Sequence, residues 1–357
     1  MVRSISSTML TAQAGTKKTP YIRVVINSVD LSSRLLFVEH IEEPYRDRTT
    51  LVFRNNDRYF DSLDFQGFSF QPGYGFTTGA GNEYCGDGTS DGTPTMWVKV
   101  QEIISTEGMV VCNLYCEGEW MYLREQKVVA VGTAPLYQYT FNESSNDYTI
   151  YDLIEMAIET VMGWTLEAAI DGGSDGIIDV IYPKISVNVS YTNNVVTLDS
   201  YAEFLYSLIS MTKCYLRQKS ATNWELVYPQ ENDEVDETYY SSSVDGHPFT
   251  EHMERMNEVV PNRIYVAANH PGFDDGEPWP AFPPAILGDS GAYTGNYDEV
   301  AEIHLYPWVT SQGTADLLAS AIMTKLKSES LAGRTVVPHD CRVELYDKIR
   351  VEDNRGL

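Results

Sequence analysis

The sequence predicts an α+β fold, with β-rich regions on either side of a central module of helix, strands, helix and hairpin. Three observations point to it. Two helix starts carry side-chain caps followed by apolar residues at helical spacing. Short runs of alternating apolar and polar residues fill both flanks. Turn-forming residues punctuate those runs.

The central module spans residues 149–229. Thr149 with Asp152 makes a variant of the capping box, in which each side chain satisfies a backbone N–H that the helix leaves unpaired. Leu153, Ile154, Ala157, Ile158, Val161 and Met162 follow at helical spacing, and Gly163 ends the run. Ser200 and Glu203 form a full S-x-x-E box, and Phe204, Leu205, Leu208 and Ile209 make one apolar stripe. Between the helices, Ile185, Val187, Val189 and Tyr191 alternate as a half-buried strand. Cys214, Leu216 and Gln218 run to a polar turn at 220–223, and Trp224, Leu226 and Tyr228 return, which predicts a hairpin.

Residues 1–19 are rich in Ser, Thr, Lys and Ala without a period, and read as a mobile arm ordered by a partner. Tyr21–Ile26, Leu35–Ile41 and Thr50–Phe53 read as strands, and Trp97–Ile104 pairs with Met109–Glu117 around Thr106-Glu107-Gly108. Short strands separated by turns suggest a small barrel or sandwich over about 20–135. Within it, the glycine-dense stretch 63–95 reads as a long loop. Residues 230–246, first acidic and then Ser-rich, read as a linker. Asn262–Ala268 and Val300–Tyr306 are strands, and 271–295, dense in Pro and Gly, is an irregular surface loop. Ser311–Ser330 is a helix with Leu318, Ile322 and Leu326 on one face, and Arg342–Val351 closes the chain with alternating residues. The last third is therefore a second β domain with one packed helix. The expected divisions are 1–19, 20–135, 136–235 and 236–357.

A chain of 357 residues exceeds one core and calls for two to three domains. Its 24 tyrosines favour strands and contact surfaces. A net charge of −26 argues against a protein that grips nucleic-acid backbones, since no basic patch is available to displace counterions. The five cysteines, Cys85, Cys112, Cys116, Cys214 and Cys341, are odd in number and scattered, and read as reduced thiols, mostly small core residues. Cys112 and Cys116 share a strand face but stand too far apart for a bridge or a zinc knuckle. The N-terminus has no apolar leader core, and no stretch approaches the ~20 apolar residues of a membrane span.

Asp171 to Asp179 spaces its aspartates like a calcium loop but lacks an acceptor at the third position and the bidentate Glu at the twelfth, so it reads as an acidic turn. Asn55, Asp57, Asp61 and Asp64 read as turn caps ahead of a cation site. His247 and His252, near Glu251 and Glu254, lack a helical i, i+4 match and a third ligand, so no metal is assigned to them. No G-x-S-x-G, phosphate-loop or dinucleotide motif occurs. The sequence thus assigns no catalytic, cofactor-binding or metal residues, and no enzymatic role is expected.

With these stretches in order, the chain resembles the hub proteins of phage tails: baseplate hubs, tail-tip hubs and the spike-base proteins of contractile injection systems. Four segments carry the resemblance. They are Leu51-Val-Phe-Arg-Asn-Asn-Asp-Arg-Tyr-Phe-Asp61, the central unit ending Trp224-Glu-Leu-Val-Tyr-Pro229, Pro261-Asn-Arg-Ile-Tyr-Val266, and the closing stretch from Pro338 to Val351. The resemblance implies two small β-barrel-like domains flanking the central module. It implies a homotrimer in which two barrels per chain build a pseudo-sixfold ring, joining a sixfold tail tube to a threefold tip around a channel. Its partners would be a distal tail or tube protein, a tip or spike protein and the tape-measure protein, with DNA passing through unbound. Its place would be the virion, at the tail tip or baseplate, after assembly in the host cytoplasm. Stretches 63–95 and 271–295 are expected to be interface elements ordered only against neighbouring subunits. Two alternatives stay open. One is a virion adhesin that binds host-surface glycan through Tyr74, Phe76, Trp279 and Phe282. The other is a cell-wall hydrolase.

Overall fold

The computed structural model describes residues 2–15, 17–88, 91–127, 140–141, 148–167, 185–186, 189–192, 195–230, 233–242, 246–256, 259–268, 286–291, 298–306, 309 and 311–354. The stretch expected to be a mobile arm folds instead. Ser6 accepts the Met9 N–H and caps helix α1 (Ser7–Ala14). Met9 is fully buried with Phe76, Cys85 and Cys341. One buried methionine anchors the helix, so no apolar stripe announced it.

The first β region follows the alternation closely. Strand β1 (Pro20–Arg23) leads to β2 (Leu35–Ile41) and β3 (Arg48–Arg54). On β3, Thr49, Leu51 and Phe53 point inward while Arg48 and Arg54 are exposed. The supposed loop at 63–95 contains three strands: β4 (Ser69–Phe70), β5 (Gly73–Thr78) and β6 (Gly81–Tyr84). Its glycines permit close pairing. A Cβ on Gly75 would sit 2.0 Å from the Glu83 carbonyl oxygen of β6. Phe65, Phe70, Phe76 and Cys85 are all buried, so this stretch is packed within its own chain and is not ordered only by neighbours. The long hairpin of β7 (Met96–Thr106) and β8 (Met109–Gly118) turns at Gly108, which takes a φ of 85°. The half-barrel sheet runs β2-β3-β8-β7-β4, all antiparallel. Its core includes Leu51, Phe53, Phe60, Met96, Val98, Cys112 and Leu114.

Helix α2 (Glu119–Glu125) hands the chain to the central module. Both expected capping boxes are present, at Thr149 for α3 (Ile150–Glu155) and at Ser200 for α4 (Tyr201–Ile209). The α3 run continues as a π-helix over Met156–Val161. Phe204, Leu205, Leu208 and Ile209 are buried. In the 185–191 run, Ile185–Ser186 pairs with Thr140–Phe141 and Val189–Thr192 pairs with Val195–Leu198, and residues 187–188 lie outside the described residues. The hairpin of β9 (Tyr215–Ser220) and β10 (Asn223–Val227) forms as expected, and Thr165–Leu166 adds a parallel strand beside β10.

The expected linker at 230–246 contains β11 (Glu237–Tyr240), which is the middle strand of a sheet. It lies between β12 (His247–Pro248) and the closing strand, with both pairings parallel. Next come β13 (Glu251–Met256) and β14 (Arg263–Ala268). The supposed irregular loop at 271–295 contributes β15 (Ile286–Asp289), antiparallel to β14; residues 269–285 and 292–297 of that region lie outside the described residues. Strand β16 (Ala301–Tyr306) pairs parallel with β14, and helix α5 (Gln312–Ser330) packs on this sheet. The contact is tight: a Cβ on Gly288 would meet the Ala315 backbone at 2.3 Å. Strand β17 (Leu331–Val336) pairs with β13, and β18 (Ile349–Glu352) closes the β11 sheet. Arg342–Lys348, expected to alternate as strand, forms turns. One hydrophobic core runs from Trp120 and Leu123 through α3 and α4 to Ile264, Val266, Leu318 and Ile322. It crosses the division expected at 235–236. The architecture is thus mixed α+β, mostly sheet with few helices.

Candidate functional site

The most unusual place in the molecule is a buried charged junction. Arg217, on β9, is 7% exposed at its side chain. Its Nε donates to Glu225 on β10 at 2.7 Å, and its Nη1 donates to Asp347 at 3.1 Å and to the Leu345 carbonyl. Arg3 comes from the N-terminus. Its Nε lies 3.0 Å from Glu344 and its Nη2 3.6 Å from Glu42. Glu344 also faces Arg217 at 3.9 Å. Burial pushes the Glu344 carboxyl up to about 7, against the pull of both arginines. Nearby Asp47 is also pushed up to about 7, by burial and then by Glu42. The junction joins the first five residues, the half-barrel, the central hairpin and the closing segment. Its arginines are held by carboxylates, which is an architectural role.

The five cysteines are all free and buried. Cys112 and Cys116 share the inner sheet face, as expected. Cys85 donates to the Cys341 carbonyl at 3.4 Å, and Cys341 Sγ donates to Gln13 of α1 at 3.3 Å. This second seam ties α1, the end of β6 and the C-terminal segment. Sequence reasoning saw neither seam, because Arg3 and Glu344 lie 341 positions apart and Gln13 and Cys341 lie 328 apart.

Two exposed apolar surfaces lie on sheets. On the half-barrel's outer face, Phe37, Val100, Ile104 and Tyr115 are 52%, 42%, 38% and 38% exposed. Val52 pairs with Phe37, and Val111 pairs with Ile104 on the same face. A second such face lies on the β15-β14-β16 sheet, where Leu287, Ile303 and Leu305 are exposed. A groove of about 360 Å³ is lined by Tyr45, Tyr206, Tyr215 and Tyr306.

The motifs singled out in the sequence fall as follows. Asn55 Oδ1 accepts the Phe60 N–H at 2.9 Å, Asp64 accepts the Gln66 N–H at 3.0 Å, and Asp57 takes a bidentate pair with Arg34. They act as turn caps and a surface ion pair. Residues 168–184, with the Asp171–Asp179 turn, lie outside the described residues. His252 bonds Thr335 on β17 at 3.0 Å, away from His247. Of the aromatic residues offered for glycan contact, Phe76 is fully buried, and Tyr74 is half-buried with its hydroxyl bonded to His40 at 2.6 Å. Trp279 and Phe282 lie outside the described residues. No helix among the described residues is long and apolar enough to cross a membrane.

No protein-family model and no curated protein matches the chain. Solved structures do. The tail protein of Neisseria meningitidis MC58 superposes with a TM-score of 0.61 at 10% identity, covering 95% of this chain and 88% of that one. The 43 kDa tail protein of prophage MuSo2 from Shewanella oneidensis gives 0.62 at 12% identity, covering 95% and 91%. Over nearly its whole length, then, the chain has the fold of phage tail proteins.

Proposed function

We propose that this chain is a structural protein of a phage tail. It would act as a hub at the tail tip or baseplate, forming a homotrimeric ring that joins a sixfold tube to a threefold tip. The observation that carries the reading is the fold shared with two tail proteins over 95% of the chain. The resemblance of four segments to hub proteins supplies the finer placement, including the two barrel-like domains per chain. The outward apolar sheet faces of the first and last regions supply material for subunit contacts, since large exposed apolar patches mark interaction sites. The neighbours in this reading are a distal tail or tube protein, a tip or spike protein and the tape-measure protein. DNA passes through the channel without specific binding. The net charge of −26 suits a wall that repels it, because basic residues would trap a polymer carrying about one charge per 1.7 Å.

Light scattering tests the ring directly. The expected mass is three times the 40.2 kDa chain mass. A monomer at all concentrations, with tube and tip neighbours present, counts against the hub. A channel wall made mainly of Lys and Arg would remove the charge argument even from a real ring.

A further inference from the structure

Asp340 gathers groups from distant parts of the last region. His247, on β12, places Nδ1 3.1 Å from Asp340 Oδ2. Glu237, on β11, brings a third donor, and the three ligand-type atoms lie within 4.8 Å of one another. The His247 and Asp340 side chains are 5% and 3% exposed. Buried polar atoms are normally satisfied by hydrogen bonds. Neither ring nitrogen of His247 has an aligned partner. The imidazole is thus aimed at a carboxylate without bonding to it. The spacing nonetheless suits two ligands of one ion. A nitrogen and an oxygen each about 2.1 Å from a four-coordinate zinc stand roughly 3–3.5 Å apart.

We propose that Glu237, His247 and Asp340 form a binding site for a divalent transition-metal ion of the zinc class. One imidazole with two carboxylates is a borderline donor set, unlike the all-oxygen cages of calcium and magnesium. Three protein ligands leave the fourth position to water. The surroundings say what the ion must displace. Arg342 Nη2 contacts Glu237 and lies 3.5 Å from Asp340. The Tyr239 hydroxyl donates to Asp340 Oδ2 at 3.1 Å, and Lys18 faces the same carboxylate. Arg342 is the countercharge of the metal-free chain, and the ion takes its place on Glu237. Bound metal would tie β11, β12 and the segment after β17 into one unit.

The test uses the full chain stripped with chelator and titrated with Zn²⁺ alone. One equivalent should bind, and at a hundredfold excess over Kd the Tm should rise by about 3 °C or more. His247→Gln should weaken binding at least tenfold, and Arg342→Met should tighten it, because a competing cation is gone. Absence of stoichiometric binding, or affinity unchanged in His247→Gln, overturns the proposal. X-ray absorption at the zinc edge of the wild-type chain is independent of how the variants fold. One imidazole in the first shell is expected, and an oxygen-only shell overturns the site.

Discussion

The half-barrel core and the charged junction are two solutions to the same problem of joining segments. The first is made of Leu51, Phe53, Met96 and Leu114 on paired antiparallel strands, with Phe60 from the helical turn after β3. The second is made of Arg3, Arg217, Glu225, Glu344 and Asp347, which come from three distant parts of the chain. Apolar burial is non-directional and forgives small displacements. A buried ion network is worth keeping only when every charge is met, and is costly once one is not. The half-barrel can therefore tolerate drift in sequence, whereas the junction depends on the closing segment returning to one place.

Truncations of equal size should separate the two. Phe53→Ala should cost about 3–5 kcal/mol, as buried phenyl truncations do. Arg217→Met should cost a similar ~3–5 kcal/mol, because it leaves Glu225 and Asp347 buried without their cation. Chemical denaturation across pH distinguishes them. The Arg217→Met loss should shrink in strong acid, because a protonated carboxyl no longer needs a cation beside it. The Phe53→Ala loss should not move with pH. Equal pH dependence for both would mean that the junction's carboxylates are not held by Arg217.

The wild-type chain should carry the same contrast. The half-barrel's buried thiols, Cys112 and Cys116, are pushed up to about 12 by burial and stay neutral at ordinary pH. Asp47 and Glu344 at the junction, and Glu119 at the start of α2, are pushed up to about 7, burial being the largest cause for each. A carboxyl whose folded value is raised binds its proton longer in the folded state. Its contribution is full below about pH 4 and is lost as pH rises to about 7, at about 1.4 kcal/mol per pH unit for each group. Asp340 works in the opposite sense. The nearby His247 imidazole and the backbone N–H and charge of Arg342 lower it despite burial, so its contribution holds above about pH 4 and fades below. Unfolding free energy should therefore fall from pH 5 to pH 7.5. General repulsion from a net charge of −26 has the same sign but is screened by salt. A decline that persists at about 1 M salt, where the Debye length is about 3 Å, and flattens in Glu119→Gln supports the buried carboxyls. A decline abolished by salt assigns the effect to the surface.

These contrasts also explain what the sequence made legible. Capping boxes are local, four residues long and chemically specific, so Thr149 and Ser200 were readable without a structure. Ser200→Ala should accordingly cost about 1 kcal/mol, as lost caps do, measured by thermal unfolding. The 63–95 stretch was misread because glycine density has two causes, mobile loops and close strand pairing, and only Gly75 against Glu83 decides between them. Helix α1 was missed because its anchor is a single methionine. Glu237 was lost in an apparent linker, and Asp340 stands ninety-three positions from His247, so no spacing rule could unite them.

The smallest expected effect on stability is the most informative about assembly. Phe37 and Phe53 sit on paired neighbouring strands, yet Phe53 points inward and Phe37 is 52% exposed on the outer face. In a free monomer, Phe37→Ser should change stability by about 0.5 kcal/mol or less, because solvated surface positions contribute little. If that face meets a second subunit, the substitution places a hydroxyl against an apolar surface and removes an aromatic anchor of the kind that dominates interfaces. The variant should then fold like wild type but dissociate at higher concentration, read by light scattering on a dilution series. A Phe37→Ser trimer as tight as wild type would clear this face of contact and shift the search to Leu287, Ile303 and Leu305. A monomer destabilised by several kcal/mol would mean that Phe37 is covered within its own chain, and that the two faces of the half-barrel are not the opposites described above.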